Sequence, residues 1–227
     1  MSDEEDLYAL VRGAEAARAA EQLAGRSVTE VVTASRRRHD ALASATLSAC
    51  GGSISCKKGC AWCCNFRVAA RADEVLLLVD HLRATRDEAG VAAVLAAAQA
   101  HATRFARMTS ERRMRTNALC PLLKDGACTV YEVRPQTCRM FHAIDVEGCQ
   151  ASVEDPERDD IPSAMVPELV EVSSGHDEGL VDALSALGRD VEVYELNAAL
   201  VEALTDDAPR QRYEAGEVAF LRASFDC

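Results

Sequence analysis

Apolar residues recur along most of this chain at the three-and-four spacing of an amphipathic helix. Leu7, Leu10, Val11 and Ala14 share one face, and Gly25 closes that run. Ser27 and Glu30 then stand at the spacing of a capping box, opening a second helix whose face carries Val28, Val31, Val32, Ser35 and Leu42. Val75, Leu78, Val79 and Leu82 repeat the pattern between Asp73 and Arg86. Val91, Val94, Leu95, Ala98, Ala102 and Phe105 continue it after Gly90, so residues 65–119 predict an inserted helical hairpin. Helical spacing returns late in the chain, through Leu180, Leu184 and Leu187 and then Val193, Leu196, Leu200 and Leu204, and Pro209 breaks it before a last short helix.

Two stretches depart from this period. From Leu119 to Gly148, Pro121, the Lys124-Asp125-Gly126 turn, the run Thr129 to Tyr131 and Pro135 predict short extended pieces and loops, a segment shaped by ligands more than by a core. From Glu154 to Pro167, three prolines, Pro156, Pro162 and Pro167, predict a surface linker. The expected fold is therefore mainly α, with helices wrapped around an irregular cysteine-rich metal-binding subdomain. Three parts are expected: an N-terminal helical segment over 1–49, a cysteine-cluster domain over 50–150, and an acidic linker with C-terminal helices over 151–227 that pack on the same core.

Composition narrows the function. With 227 residues and 48% hydrophobic content the chain can bury one sizeable core. No run approaches the roughly 20 apolar residues of a membrane span, and the acidic opening MSDEED is unlike a secretory signal, so a cytoplasmic protein without membrane partners is expected. The net charge of −12 argues against a general nucleic-acid binder, which needs a basic surface. That charge is uneven: Asp145 to Cys227 holds 21 acids and 5 bases, while Met1 to Ile144 holds 16 acids and 20 bases. The acidic third reads as a solvated face or as a surface for a basic protein partner. No acid at all falls between Ala41 and Ala72, where Lys57, Lys58, Arg67 and Arg71 offer cations to balance thiolates.

The cysteines carry the candidate chemistry. Of ten, four form the run Cys56-x3-Cys60-x2-Cys63-Cys64, and four more follow as Cys120, Cys128, Cys138 and Cys149. In a reducing compartment so many thiols point to metal. Short spacings let one loop wrap several sulfurs around one centre, and Gly59 lets the backbone come close. Disulfides are the alternative, but adjacent Cys63 and Cys64 have Cα atoms about 3.8 Å apart, below the roughly 4.4–6.8 Å of an unstrained bridge. Around the thiols, Arg134 and Arg139 can anchor a substrate carboxylate or donate to cluster sulfurs, the plainer reading being a loop salt bridge. His142 is either a ligand or a packing residue, and Trp62 and Tyr131 read as packing that excludes water. Cys50 and Cys227 fall outside the pattern.

Taken together, Cys56-x3-Cys60-x2-Cys63-Cys64, then Cys120-Pro121-Leu122-Leu123, then Cys128-x2-Tyr131-x2-Arg134-Pro135-x2-Cys138-Arg139 resemble the YkgJ-type cysteine-cluster family of zinc- or iron-chelating domains over about residues 50–150. The cluster of flagellin lysine N-methylases is similar. The resemblance implies metal ligation by Cys56, Cys60, Cys63, Cys64, Cys120, Cys128 and Cys138, with Cys149 as the eighth ligand. Eight thiolates suffice for two zinc ions, but a triplet followed at once by a fourth cysteine is not a pair of zinc knuckles. Iron–sulfur clusters accept irregular spacing, and the methylase resemblance implies a 4Fe-4S cluster, with zinc as the alternative. Cys56-x3-Cys60-x2-Cys63 also matches the spacing of radical S-adenosylmethionine enzymes, although the chain lacks the alternating strands and helices of their partial barrels. The expected function is thus an iron–sulfur centre used for redox or group-transfer chemistry on a small-molecule or protein substrate. An S-adenosylmethionine-dependent methyltransferase-like enzyme and a structural zinc interaction module are the alternatives.

Overall fold

The structure is a computed structural model that describes residues 3–158, 160, 161 and 164–225. Pro162 and Cys227 lie outside the described residues. Ten α-helices dominate the described residues, with four strands of only two or three residues each.

Helix α1 (Asp3–Leu23), α2 (Val28–Cys50) and α8 (Pro167–Ala186) form one helical layer. The expected capping box is present: Glu30 N–H donates to Ser27 Oγ at 3.3 Å and Ser27 N–H donates to the Glu30 carboxylate at 2.9 Å. Helices α1 and α8 approach closely because α8 offers bare backbone at Gly175 and Gly179. A Cβ at Gly179 would stand 2.4 Å from the Arg12 carbonyl oxygen, and one at Gly175 2.6 Å from that of Tyr8. Ala19, Val31, Val32, Leu180 and Leu184 close this layer's apolar seam.

Helix α3 (Ala72–Thr85), α4 (Glu88–Ala106) and α9 (Leu196–Thr205) form the second layer. Val75, Leu78, Leu82, Val94, Ala98, Leu196 and Leu200 bury here in the largest core cluster, at about 1.5–3 kcal/mol for each large apolar side chain. Strand β1 (Ala69–Arg71) pairs antiparallel with β4 (Val193–Glu195), with Ala70 opposite Tyr194, and so ties the start of α3 to the start of α9. In sequence between α4 and α8 come α5 (Ser110–Met114), the hairpin of β2 (Leu123–Lys124) and β3 (Ala127–Cys128), α6 (Gln136–Met140) and α7 (Val146–Glu154); α10 (Ala208–Glu214) follows α9. The β2–β3 turn falls at the expected Asp125-Gly126, both with positive φ, 51° and 73°, the backbone that a two-residue hairpin turn requires.

Boundaries differ from the sequence pattern in four places. Helix α4 starts before Gly90, because Asp87 caps it by accepting from Gly90 N–H at 2.8 Å. Helix α6 forms wholly, and α7 partly, inside the stretch expected to lack helical period. Helix α8 begins at Pro167, thirteen residues before Leu180, with proline in the first turn, where its missing N–H costs nothing. Val193 belongs to β4 and is exposed, since Asp190 accepts from Glu192 N–H at 2.9 Å and the Tyr194 hydroxyl at 2.5 Å and turns the chain there.

The acidic third is not simply a solvated tail. Asp190, Glu195 and Glu202 are buried, and several acids meet arginines of the basic part: Asp177 with Arg71 at 2.7 Å, Asp182 with Arg12 at 2.7 Å, and Asp207 with Arg83 at 3.2 Å. No helix of the described residues is long and apolar enough to cross a membrane.

Candidate metal centre

The two cysteine groups are pinned together by backbone. Cys120 N–H donates to the Cys64 carbonyl at 2.8 Å, and Ala118 N–H to the Asn65 carbonyl at 2.6 Å. The first group itself is wound tight: Cys60 N–H returns to the Lys57 carbonyl at 2.9 Å, and Trp62–Asn65 form a 3-10 turn in which Cys64 N–H returns to Ala61 at 3.1 Å. Further along, Ser55 N–H donates to the Ala143 carbonyl at 2.9 Å and Ala143 N–H to Cys56 Sγ at 3.2 Å. Segments distant in sequence are thus fastened at the sulfurs themselves.

Cys56, Cys60, Cys63, Cys64, Cys120, Cys128 and Cys138 all line one cavity of about 130 Å³. Its floor is the main core, through Val68, Leu122, Val130 and Leu196; the rest of its wall includes Lys57, Tyr131 and Arg134. Cys149, on α7, is not part of the wall, but its thiol lies within electrostatic reach of Cys56, Cys60 and Cys63. Cys50 is exposed at the end of α2, and all nine described cysteines are free thiols. Among the described residues no three Cys, His, Asp or Glu side chains converge on a single ion's position. What the thiols share is a cavity and not a point.

Burial governs their protonation. Removal from water pushes Cys120 and Cys149 up to about 11 and raises Cys56, Cys128 and, strongly, Cys138. Cys63 is raised most by its hydrogen bond with Cys64 and then by burial. At neutral pH these groups are therefore thiols, and a bound cation is what makes thiolates of them. Backbone amides oppose burial at four sulfurs: Ala143 N–H at Cys56, Leu122 N–H at Cys120, Val130 N–H at Cys128 and the residue's own N–H at Cys63. Amides aimed at sulfur favour the anionic form. Soft sulfur donors alone, backed by amides and an apolar floor, fit zinc or iron and do not fit magnesium or calcium, which take oxygen.

The two arginines of the sequence reading take different places. Arg134 lies in the cavity wall, its guanidinium 3.9 Å from the Tyr131 ring centre and donating to the Tyr131 carbonyl at 2.7 Å. Its charge favours the thiolate forms of Cys56, Cys63 and Cys128. Arg139 also touches the cavity but is 2% exposed, with one Nη donating to Asp40 and the other to the Glu132 carbonyl at 2.8 Å. Its ion pair is with Asp40 of α2, not the expected loop salt bridge to an acid nearby in sequence, and it braces the segment carrying Cys138. The same segment is held by Glu74, buried on α3, which accepts from Gln136 N–H at 2.6 Å, Arg71 N–H at 2.9 Å and the Arg36 guanidinium at 3.2 Å. Nothing in the local sequence marks Glu74 as a support of the site.

His142 belongs to the wall, with Nε2 buried and without a hydrogen-bond partner, and burial lowers its pKa so that the ring is neutral. Its signal in the sequence is the four-residue spacing from Cys138. Tyr131 packs at the site as expected, while Trp62 opens the 3-10 turn outside the cavity wall.

Residues 55–160 match the family model described as "CxxCxxCC: Putative zinc- or iron-chelating domain". The chain therefore carries a YkgJ-type cysteine-cluster domain over those residues, and the match takes in all eight clustered cysteines. No curated protein and no solved structure matches the chain significantly.

Proposed function

We propose that Cys56, Cys60, Cys63, Cys64, Cys120, Cys128, Cys138 and Cys149 hold iron in iron–sulfur centres, of the 4Fe-4S type, that serve redox or group-transfer chemistry in a reducing, cytoplasmic setting. The observation that carries this is the convergence of seven thiols on one cavity of about 130 Å³. One zinc ion takes four donors in direct contact with it. Seven thiols spread around a space of several atoms' volume suit a polynuclear centre better. Amide donors at Cys56, Cys120 and Cys128 support the same reading, since hydrogen bonds to sulfur set a cluster's potential.

The electrostatic neighbourhoods suggest how the thiols divide. Cys149 senses Cys56, Cys60 and Cys63, while Cys138 senses Cys120, Cys63 and Cys128. We take the ligands as two sets of four, {Cys56, Cys60, Cys149} and {Cys120, Cys128, Cys138}, each completed by one of the adjacent Cys63 and Cys64. An iron–sulfur centre supplies electron transfer, or an open iron that binds an amino or carboxylate group. Arg134 and Lys57 would then hold an anionic substrate at the wall, and Arg139 acts as a brace. S-adenosylmethionine is a ligand of this kind only if one iron lacks a thiolate, and Cys149, outside the wall, is the thiol whose place it would take.

Stepwise reduction of anaerobically purified protein, followed by visible absorption and electron paramagnetic resonance, tests the reading. Reversible bleaching with a reduced-cluster signal is expected, and a signal altered by S-adenosylmethionine would assign the open-iron form. A protein whose spectra do not respond to reduction would be a structural zinc module instead.

A further inference from the structure

On the other side of the β1–β4 pair lies a second concavity. Extended backbone alternates its side chains, so Val68 and Leu196 face the thiol cavity while their neighbours Arg67 and Glu195 face a groove of about 510 Å³. Ala102, Phe105 and Ala106 of α4, Ala198 of α9 and Leu221 give that groove an apolar lining. A companion cavity of about 360 Å³ adjoins it, and Arg67 and Arg113 line both.

Among the described residues neither arginine has an ion pair. Arg67 has a buried Nε without a hydrogen-bond partner among the described residues, and its guanidinium lies over the Phe225 ring, 4.5 Å from the ring centre. Arg113 donates through Nε to the Phe105 carbonyl at 3.0 Å, which fixes the side chain. No acceptor meets its Nη groups among the described residues. The one acid among the described residues of the groove wall is occupied: Glu195 accepts from Ala198 N–H at 2.9 Å and Asn197 at 2.8 Å. Arg222 at the rim is exposed and lies 3.9 Å from Glu202. Two guanidinium groups, each held in place and without an ion pair among the described residues, stand beside an apolar wall and form a site for an oxyanion, because a planar fork matches carboxylate and phosphate.

We propose that this groove binds a small molecule with an oxyanion head, carboxylate or phosphate, held between Arg67 and Arg113, and an apolar body lying against Phe105, Ala102 and Ala106. The site is separate from the thiols and does not depend on which metal they hold.

Calorimetric titration of the full-length protein, with its metal in place, tests this using octanoate and octyl phosphate as the two anionic probes. Octanol and inorganic phosphate are the comparators. Saturable one-to-one binding of at least one anionic probe is expected, and the tighter of the two identifies the head group. Arg67→Ala and Arg113→Ala each weaken it about tenfold or more, Arg67→Lys by less, and Arg222→Ala by under about threefold. Circular dichroism of each variant separates lost binding from lost fold. Octanol binding as tightly as octanoate, inorganic phosphate binding as tightly as octyl phosphate, or folded Arg67→Lys and Arg113→Ala proteins that bind like the parent would overturn the proposal.

Discussion

Each thiol around the cavity is asked to be neutral without metal and anionic with it, and pH resolves the two states. In the unfolded chain a cysteine titrates near its ordinary value of 9, whereas Cys120 and Cys149 in the fold titrate at about 11. Between those values the unfolded state has already released protons that the fold still holds, so metal-free protein loses stability as pH rises from about 9 to about 11. Metal reverses the sign, since it binds thiolates: its affinity rises with pH and its uptake releases protons. Denaturant titrations of chelated, reduced protein at pH 8 and pH 10.5 should show the midpoint falling, and metal-loaded protein should not follow it; a flat chelated profile would mean that the thiols are not buried. Individual cysteines divide just as sharply. Cys138→Ala should lose metal together with about 3 kcal/mol or more of stability, since its ligand joins distant segments. Cys149→Ala should retain more metal than Cys138→Ala, and Cys50→Ala should match the parent in metal content and melting temperature. Equal metal loss in Cys149→Ala and Cys138→Ala would erase the distinction between wall and periphery.

Helix packing places the cavity and has its own test. The close contact of α1 with α8 rests on two glycines, and a methyl group at Gly179 would press on the Arg12 carbonyl, which is backbone and cannot turn aside. Gly179→Ala should therefore cost about 1–3 kcal/mol. Gly13, with nothing within 4 Å of its added Cβ, should accept alanine at no cost or gain up to about 1 kcal/mol. Thermal denaturation of the two variants checks the contrast, and metal content should stay normal in both, because this seam does not touch the thiols. Such contacts also explain what was legible in the sequence. The spacing of Val75, Leu78, Val79 and Leu82 declared α3, Ser27 and Glu30 declared the start of α2, and the cysteine spacings declared the wall of the cavity. Helix α7 and β4 were hidden because distant partners decide them: α7 packs against the 3-10 turn of Cys63, and β4 pairs with β1 on one side and bridges to Ser224 on the other. Glu74 was hidden for the same reason, as a buried carboxylate looks like any solvated one until its three donors are brought to it.

Across the whole molecule, the charge asymmetry of the sequence is partly an internal matter. Acids of the C-terminal third answer arginines of the first half, and the pairs of buried Arg71 with Asp177 and exposed Arg12 with Asp182 tie that third back to the first third of the chain. The cavity then lies where β2–β3, α6, the first cysteine loop and the core under α9 meet. Metal uptake and tertiary folding are coupled by that placement, whichever metal is bound. The chemical identity of the centre is the central claim, and one measurement reaches it directly: iron, zinc and acid-labile sulfide determined on the same sample of protein prepared strictly without oxygen. Iron and sulfide in comparable amounts, with broad visible absorption and little zinc, is the predicted result. Stoichiometric zinc with neither iron nor labile sulfide would contradict it.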